Sequence, residues 1–182
     1  MGVEAPDSDI LSLARAVETC CRVKRSVGHG STRAARDHFD IYRLASSPAL
    51  LRALAELMAT LLPPQTEVLG GLDLGGLPIA TVMSQVTGLP GVLVRARRRP
   101  YGGQRFVEGV DCTGRMVVLV GDTVSPGPEL RNSVTALRRL GAPVTTVVCA
   151  IDRLDIPRTV GQDVEVRVAL SRSVLERVRI SS

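Results

Sequence analysis

An apolar strand, a tight polar loop and an amphipathic helix follow one another directly in residues 116–129. The β-branched run ends at Val120, Asp122 follows it, and a loop rich in Ser, Gly and Pro leads to Glu129 and the helix. In a parallel sheet this order presents backbone amides and a helix N-terminus to a phosphate, and Asp122 could accept hydrogen bonds from sugar hydroxyls. An ordinary strand–loop–helix unit without a ligand has the same pattern, so both interpretations stay open for this segment alone.

Helix and strand signals alternate along the rest of the chain. Asp9 is expected to cap a first helix, and Ser47 followed by Pro48 marks the start of another. We predict strands at 67–69, 91–96, 116–120, 144–151 and 164–170, helices at 78–86, 130–140 and 171–178, and a glycine-rich turn at 70–76. This alternation implies an α/β fold with a mostly parallel sheet and helices on both faces. A length of 182 residues favours a single domain over 1–182.

Composition narrows the class of protein. The formal net charge of +5 suits an anionic ligand, but the arginines lack interleaved aromatic residues, which makes nucleic acid an improbable partner. No apolar run reaches the length of a membrane span and no leader-like segment stands at the start, so we expect no membrane partner and a cytoplasmic location. The four cysteines have no zinc-type spacing, and we expect no metal site built from them.

Four polar loops fall where predicted strands end, which is where open α/β sheets bind ligands. The first is the glycine-rich stretch 70–78, whose backbone could approach a phosphate closely. The second, 94–103, carries four arginines that could neutralise a diphosphate or form a solvated basic surface. The third is the loop 122–129, and the fourth is Asp152-Arg153. Each loop alone is weak evidence for a site.

Taken in order, these segments resemble orotate phosphoribosyltransferases, a family of type I phosphoribosyltransferases, from Asp37 through Arg153. Phe39-Asp40-Ile41 before the helix at 47–62 is similar to the approach to that family's first long helix, and 71–78 is similar to its diphosphate-binding turn. Residues 94–102 resemble its catalytic loop, with Ala96 where the family has a lysine and Tyr101 where it has a histidine.

The resemblance implies a reaction in which orotate attacks phosphoribosyl diphosphate (PRPP), diphosphate leaves with Mg²⁺, and orotidine 5′-monophosphate forms. It implies that Arg95 and Arg99 stabilise the diphosphate and that Asp122 binds the ribose hydroxyls. It also implies a homodimer in which the arginine loop reaches the neighbour's site. It implies that Ser125 and Arg153 contact orotate. The further substrate-binding residues that it implies are Asp73, Gly75, Gly76, Tyr101, Ser125, Gly127 and Arg153.

The PRPP loop departs from the family pattern. Gly121 stands where the family carries a first acidic residue, and Pro126 and Pro128 remove two backbone donors. Glu129 adds a carboxylate at a helix N-terminus, where it would repel a phosphate. Three hypotheses follow: an orotate phosphoribosyltransferase, a related enzyme for another base or sugar phosphate, and a non-catalytic binding or regulatory paralogue.

Overall fold

The computed structural model describes residues 7–23, 38–95, 106–123, 127–152, 159–161 and 163–180. Helices and strands alternate through most of this part of the chain. The helices are α1 Asp7–Cys21, α2 Ile41–Ala45, α3 Pro48–Ala59, α4 Asp73–Thr87, α5 Pro128–Arg139 and α6 Arg172–Ile180. The strands are β1 Arg22–Val23, β2 His38–Phe39, β3 Val68–Leu72, β4 Gly91–Val94, β5 Val107–Gly109, β6 Val117–Thr123, β7 Thr146–Ile151, β8 Thr159–Val160 and β9 Val164–Leu170.

Seven strands of the described residues form one sheet in the order β5-β4-β3-β6-β7-β9-β8. The five inner strands, from β4 to β9, run parallel, and the edge strands β5 and β8 are antiparallel to their neighbours. β1 and β2 form a separate antiparallel pair. The predicted α/β class with a mostly parallel sheet is therefore confirmed.

Two apolar clusters cover opposite faces of this sheet. Side chains alternate along β6, so Val118 and Val120 enter one cluster while Val117 and Leu119 enter the other. The first cluster contains side chains of α1, α2, α3, α4 and α6, and the second contains those of α5. Helices on both faces follow from this division, as the sequence predicts.

The inner strand β7 shows why the β-branched run at 144–151 predicted a strand covered on both faces. All six of its residues are buried, and β6 and β9 flank it on either side. Each fully buried aliphatic side chain of this kind stabilises the fold by about 1.5–3 kcal/mol. β7 is therefore an inner strand held by apolar packing on both of its faces.

Some predicted boundaries are wrong. The first helix begins at Asp7, so Asp9 lies inside it rather than capping it. Ser47 is the N-cap residue of α3 with Pro48 at the first helical position, as predicted, although the Ser47 side chain makes no capping hydrogen bond. Leu140 was expected on the apolar face of α5, but the helix ends at Arg139 and Leu140 is exposed. Gly141 follows at φ 78°, a left-handed conformation typical of the residue after a helix end.

Among the described residues, no helix has the length and apolar character needed to cross a membrane.

Candidate active site

Several of the predicted site residues meet at one edge of the sheet. β3, β4, β6 and β7 are parallel neighbours, and their carboxyl ends come together. Asp73 directly follows β3, Arg95 follows β4, Asp122 is the penultimate residue of β6, and Asp152 follows β7. The structure thus places three predicted residues and one acidic neighbour along a single edge, where α/β sheets bind ligands.

The side chain of Asp122 lies against the first turn of α4. A Cβ atom on Gly75 would collide with both the Cγ and Oδ2 atoms of Asp122, so only glycine leaves room for this carboxylate. The backbone N–H of Thr123 donates to Asp122 Oδ1 over 2.7 Å, which fixes the carboxylate orientation. Asp122 is half-buried, and it is therefore both oriented by the protein and reachable from outside.

The predicted glycine-rich turn at 70–76 does not exist as a turn. Residues up to Leu72 belong to β3, and α4 begins immediately at Asp73 rather than at Pro78. Close packing explains the glycines, since a Cβ on Gly76 would strike the carbonyl oxygen of Val120. They let the N-terminal turn of α4 approach the backbone of β6 directly.

Asp73 has an uncommon backbone conformation at the start of α4. Its φ of 47° is the single positive value among non-glycine residues in the described ranges. Leu72 is the N-cap residue and has no side chain able to accept a hydrogen bond, so no side chain caps the helix from that position. Strained conformations of this kind are frequent at ligand sites. The conformation turns the chain sharply from strand into helix beside Asp122.

Arg95 forms an ion pair that the sequence analysis did not anticipate. Its Nε atom donates to Glu108 Oε1 over 3.0 Å, and the two side chains are 16% and 44% exposed. The antiparallel pairing of β4 with β5 brings the two residues together across 13 positions of sequence. Nothing local in the sequence indicates which strand β5 pairs with, so this ion pair could not be predicted.

The N-terminus of α5 carries two of the predicted departures, Pro128 and Glu129, whereas Gly121 lies on β6 and Pro126 lies outside the described residues. Gly127 is its N-cap residue, Pro128 occupies the first turn, and Glu129 is the acidic residue of that turn. Because of Pro128, this helix start has one backbone N–H donor fewer than a chain without that proline would have. The other predicted site residues, Arg99, Tyr101, Ser125 and Arg153, lie outside the described residues.

Two buried side chains, a carboxylate and a thiol, lie beneath this edge of the sheet. Asp152 is fully buried at the end of β7. Burial raises the pKa of the Cys149 thiol to about 12, and the negative charges of Asp122 and Asp152 add to this effect. A Cβ on Gly121 would lie 3.2 Å from Cys149 Sγ, so the thiol occupies space beside the residue that replaces the family's first acid. Cys149 lies in the strand predicted at 144–151, but its contact with Gly121 depends on the pairing of β6 with β7.

No group of three or more His, Cys, Asp and Glu side chains that could hold a metal ion occurs in the part of the chain that the structure describes.

The architecture and the acidic end of β6 define a class, the type I phosphoribosyltransferases. The chain is similar to a solved orotate phosphoribosyltransferase of Mycobacterium tuberculosis in complex with Fe(III) dicitrate, with a TM-score of 0.78, 28% identity and coverage of 92% of this chain and 98% of that one. The same enzyme in complex with PRPP matches with a TM-score of 0.70, 25% identity and coverage of 92% and 99%.

A sequence relative identifies the family more closely. Orotate phosphoribosyltransferase of Nocardioides sp. is 40% identical over 170 residues, which cover 92% of this chain and 95% of the relative. No family model matches the chain. The chain belongs to the orotate phosphoribosyltransferase family.

Proposed function

We propose that this protein transfers the phosphoribosyl group of PRPP to orotate, giving orotidine 5′-monophosphate and diphosphate. The observation that carries the proposal is the Asp122 carboxylate, oriented by the N–H of Thr123 and seated against Gly75 at the start of α4. This arrangement joins an acceptor for ribose hydroxyls to a helix N-terminus suited to a diphosphate. Both relatives described above carry the name of this activity.

The chemistry requires stabilisation of charge at two places. As the bond from the ribose C1 atom to diphosphate breaks, positive charge develops on the sugar and negative charge on the leaving diphosphate. Asp122 holds the ribose hydroxyls and keeps C1 in line with the attacking base. Asp73 and Gly75, in the first turn of α4, hold the diphosphate through backbone N–H groups, Gly76 lets that turn pack against β6, and Arg95 neutralises the developing charge.

Further roles follow from the family resemblance. Arg99 and Tyr101 act on the diphosphate with Arg95, and Ser125 and Arg153 contact orotate. The guanidinium of Arg153 suits the orotate carboxylate because its donors match a carboxylate in pairs. Gly127 holds the 5′-phosphate at the start of α5, where it is the N-cap residue. These roles extend the proposal to every predicted site residue.

Mg²⁺ is the proposed cofactor. Mg²⁺ binds proteins through one or two carboxylates together with substrate phosphates. The carboxylate of Asp122 and the exposed Asp73 at the same edge fit such a donor set, with the diphosphate of PRPP supplying the other oxygens. When bound, the ion neutralises charge on the departing diphosphate.

We further propose a homodimer, and light scattering coupled to size-exclusion chromatography tests it, since a monomer at micromolar concentration contradicts it.

A related enzyme for another base, or a binding protein without catalysis, is the alternative. The observation that favours it is the α5 N-terminus, where Pro128 removes a donor and Glu129 adds negative charge in the first turn. Both changes oppose a phosphate at that helix start.

The deciding experiment has two measurements. Calorimetric titration with PRPP and Mg²⁺ is expected to show binding, and chromatography is expected to show orotidine 5′-monophosphate when orotate is added. Asp122→Asn should lower kcat/KM by about tenfold or more, because a charge-assisted hydrogen bond to ribose becomes a neutral one. Binding without product would favour another base. An absence of PRPP binding would favour the non-catalytic alternative and refute the proposed reaction.

A further inference from the structure

The hairpin of β4 and β5 carries an ion pair at the root of the arginine loop. Leu93 pairs with Glu108 and Val94 with Val107, and the N–H of Arg95 donates to the carbonyl of Phe106 over 2.8 Å. Arg95 is thus the first residue after β4, and its backbone is still bonded to the opposite chain. The backbone position of Arg95 is set by the sheet.

The guanidinium of Arg95 is held separately from its backbone. Its Nε atom donates to Glu108 Oε1 over 3.0 Å, and the Arg95 side chain is only 16% exposed. This bond uses one of the five N–H donors of the guanidinium, and the other four belong to the terminal nitrogens. A long side chain that would otherwise sample many rotamers is therefore held along the edge of the sheet before any ligand binds.

We propose that Glu108 is a positioning residue that orients Arg95 for the departing diphosphate. The inference rests on the proposed function, in which Arg95 meets the developing negative charge. Fixing Arg95 in advance removes the cost of ordering its side chain when the transition state forms. Glu108 itself does not touch the substrate in this role, and it acts only through Arg95.

Stability alone does not account for the pair. The Glu108 carboxylate is 44% exposed, and ion pairs with such exposure contribute little to folding because water screens them. The chain offers a comparison in Arg52–Glu56, whose Nε–Oε1 distance is 2.9 Å and whose Glu side chain is 49% exposed, with an arginine that is 66% exposed where Arg95 is 16% exposed. That pair lies on the exposed side of α3, and neither residue belongs to a strand that ends at the site or directly follows one.

The test compares Glu108→Ala, Glu108→Gln and the control Glu56→Ala in the full chain. Glu108→Ala should lower kcat with orotate, PRPP and Mg²⁺ by about tenfold to a hundredfold, since misplaced charge-stabilising groups cost this much. KM for PRPP should change less, because the diphosphate charge develops fully only in the transition state. Glu108→Gln should retain an intermediate kcat through its amide oxygen, and Glu56→Ala should match the wild type. Because Arg95 is more buried than Arg52, Glu108→Ala should lower the melting temperature more than Glu56→Ala does, and Glu108→Gln, which keeps an acceptor for Nε, separates this loss from the loss of kcat.

A double-mutant cycle with Arg95→Ala makes the test specific. If Glu108 acts only through Arg95, then adding Glu108→Ala to Arg95→Ala should change kcat no further. The proposal is overturned if Glu108→Ala behaves like Glu56→Ala, or if its full effect persists without Arg95. A wild type that binds PRPP and forms no product would instead overturn the proposed reaction, and the Glu108 role with it, so the two failures are distinguishable.

Discussion

Gly75→Ala is expected to separate ligand binding from stability at the candidate site. The new Cβ would collide with the Asp122 carboxylate, which must rotate away and give up the 2.7 Å hydrogen bond from the N–H of Thr123. Because the obstacle is the end of a side chain, the backbone of α4 can stay in place. The substitution therefore moves the proposed ribose-binding group without touching it chemically.

The magnitudes follow from two opposing terms. The lost hydrogen bond to a charged acceptor costs about 1.5–3 kcal/mol, whereas alanine in a helix gains about 1 kcal/mol over glycine. The net loss of about 0.5–2 kcal/mol lowers the melting temperature by about 1–8 °C for a chain of this size. Losing one charge-assisted bond to ribose, at about 1.5–3 kcal/mol, weakens PRPP binding by about 10- to 150-fold.

Two other glycine-to-alanine changes serve as references. In Gly76→Ala the Cβ meets the carbonyl oxygen of Val120, which cannot rotate away, so the melting temperature should fall further than in Gly75→Ala. In Gly91→Ala the nearest atom is 3.7 Å away, an ordinary contact, and both measurements should stay near the wild type. Calorimetry with PRPP and Mg²⁺ and thermal unfolding check all three variants. Wild-type PRPP affinity in Gly75→Ala would refute the placement of Asp122 at the ribose.

Three further predictions concern the departures and the buried thiols. Replacing Pro128 with Gly and Glu129 with Ser should strengthen PRPP binding by more than about tenfold in calorimetry, since it restores one donor and removes one like charge at the start of α5. Raising the pH from 9 to 12 should lower the free energy of unfolding measured with denaturant. The pKa values of buried Cys149 and Cys21 are raised from 9.0 to about 12, so the unfolded chain loses these protons first. Gly121→Asp should unfold at a lower temperature, and adding Cys149→Ala should restore part of the loss, because the thiol lies where the new side chain must go.

Each of these has a contradicting result. Unchanged PRPP affinity with a lowered melting temperature in the Pro128 and Glu129 double variant would mean that these residues only start the helix. An alkaline loss of stability that is the same in Cys149→Ala would remove that thiol from the pH dependence. Additive effects of the changes at 121 and 149 would show that the two positions are independent.

Local sequence patterns predicted the strand that is buried on both faces and the helix that buries one continuous apolar face. The β-branched run before Ile151 predicted β7, since such a run suits a strand buried on both faces. The apolar stripe from Leu130 to Leu137 predicted α5, and these side chains are buried as its spacing required. Asp122 was also found from its place after an apolar strand, because the end of a parallel strand is where such folds bind ligands.

The start of α4 shows where local reasoning fails. Glycines disfavour helices, so residues 70–76 predicted a turn. In the structure, contact with the Val120 carbonyl requires glycine at 76, and the close approach of helix and strand outweighs the low helix propensity. Only the tertiary structure could decide this, because the contact joins residues 44 positions apart.

From its sequence alone, this protein could be assigned its α/β class, the five parallel strands of its main sheet, and the acidic residue at the end of β6, since each depends on neighbours in the chain. Tertiary structure decided which residues share the site. The pairing of Arg95 with Glu108, the seating of Asp122 against Gly75 and the packing of Cys149 beside Gly121 all depend on the register of strands and on a helix packed against them. Register is set by the burial of whole faces, which no single segment of the chain encodes.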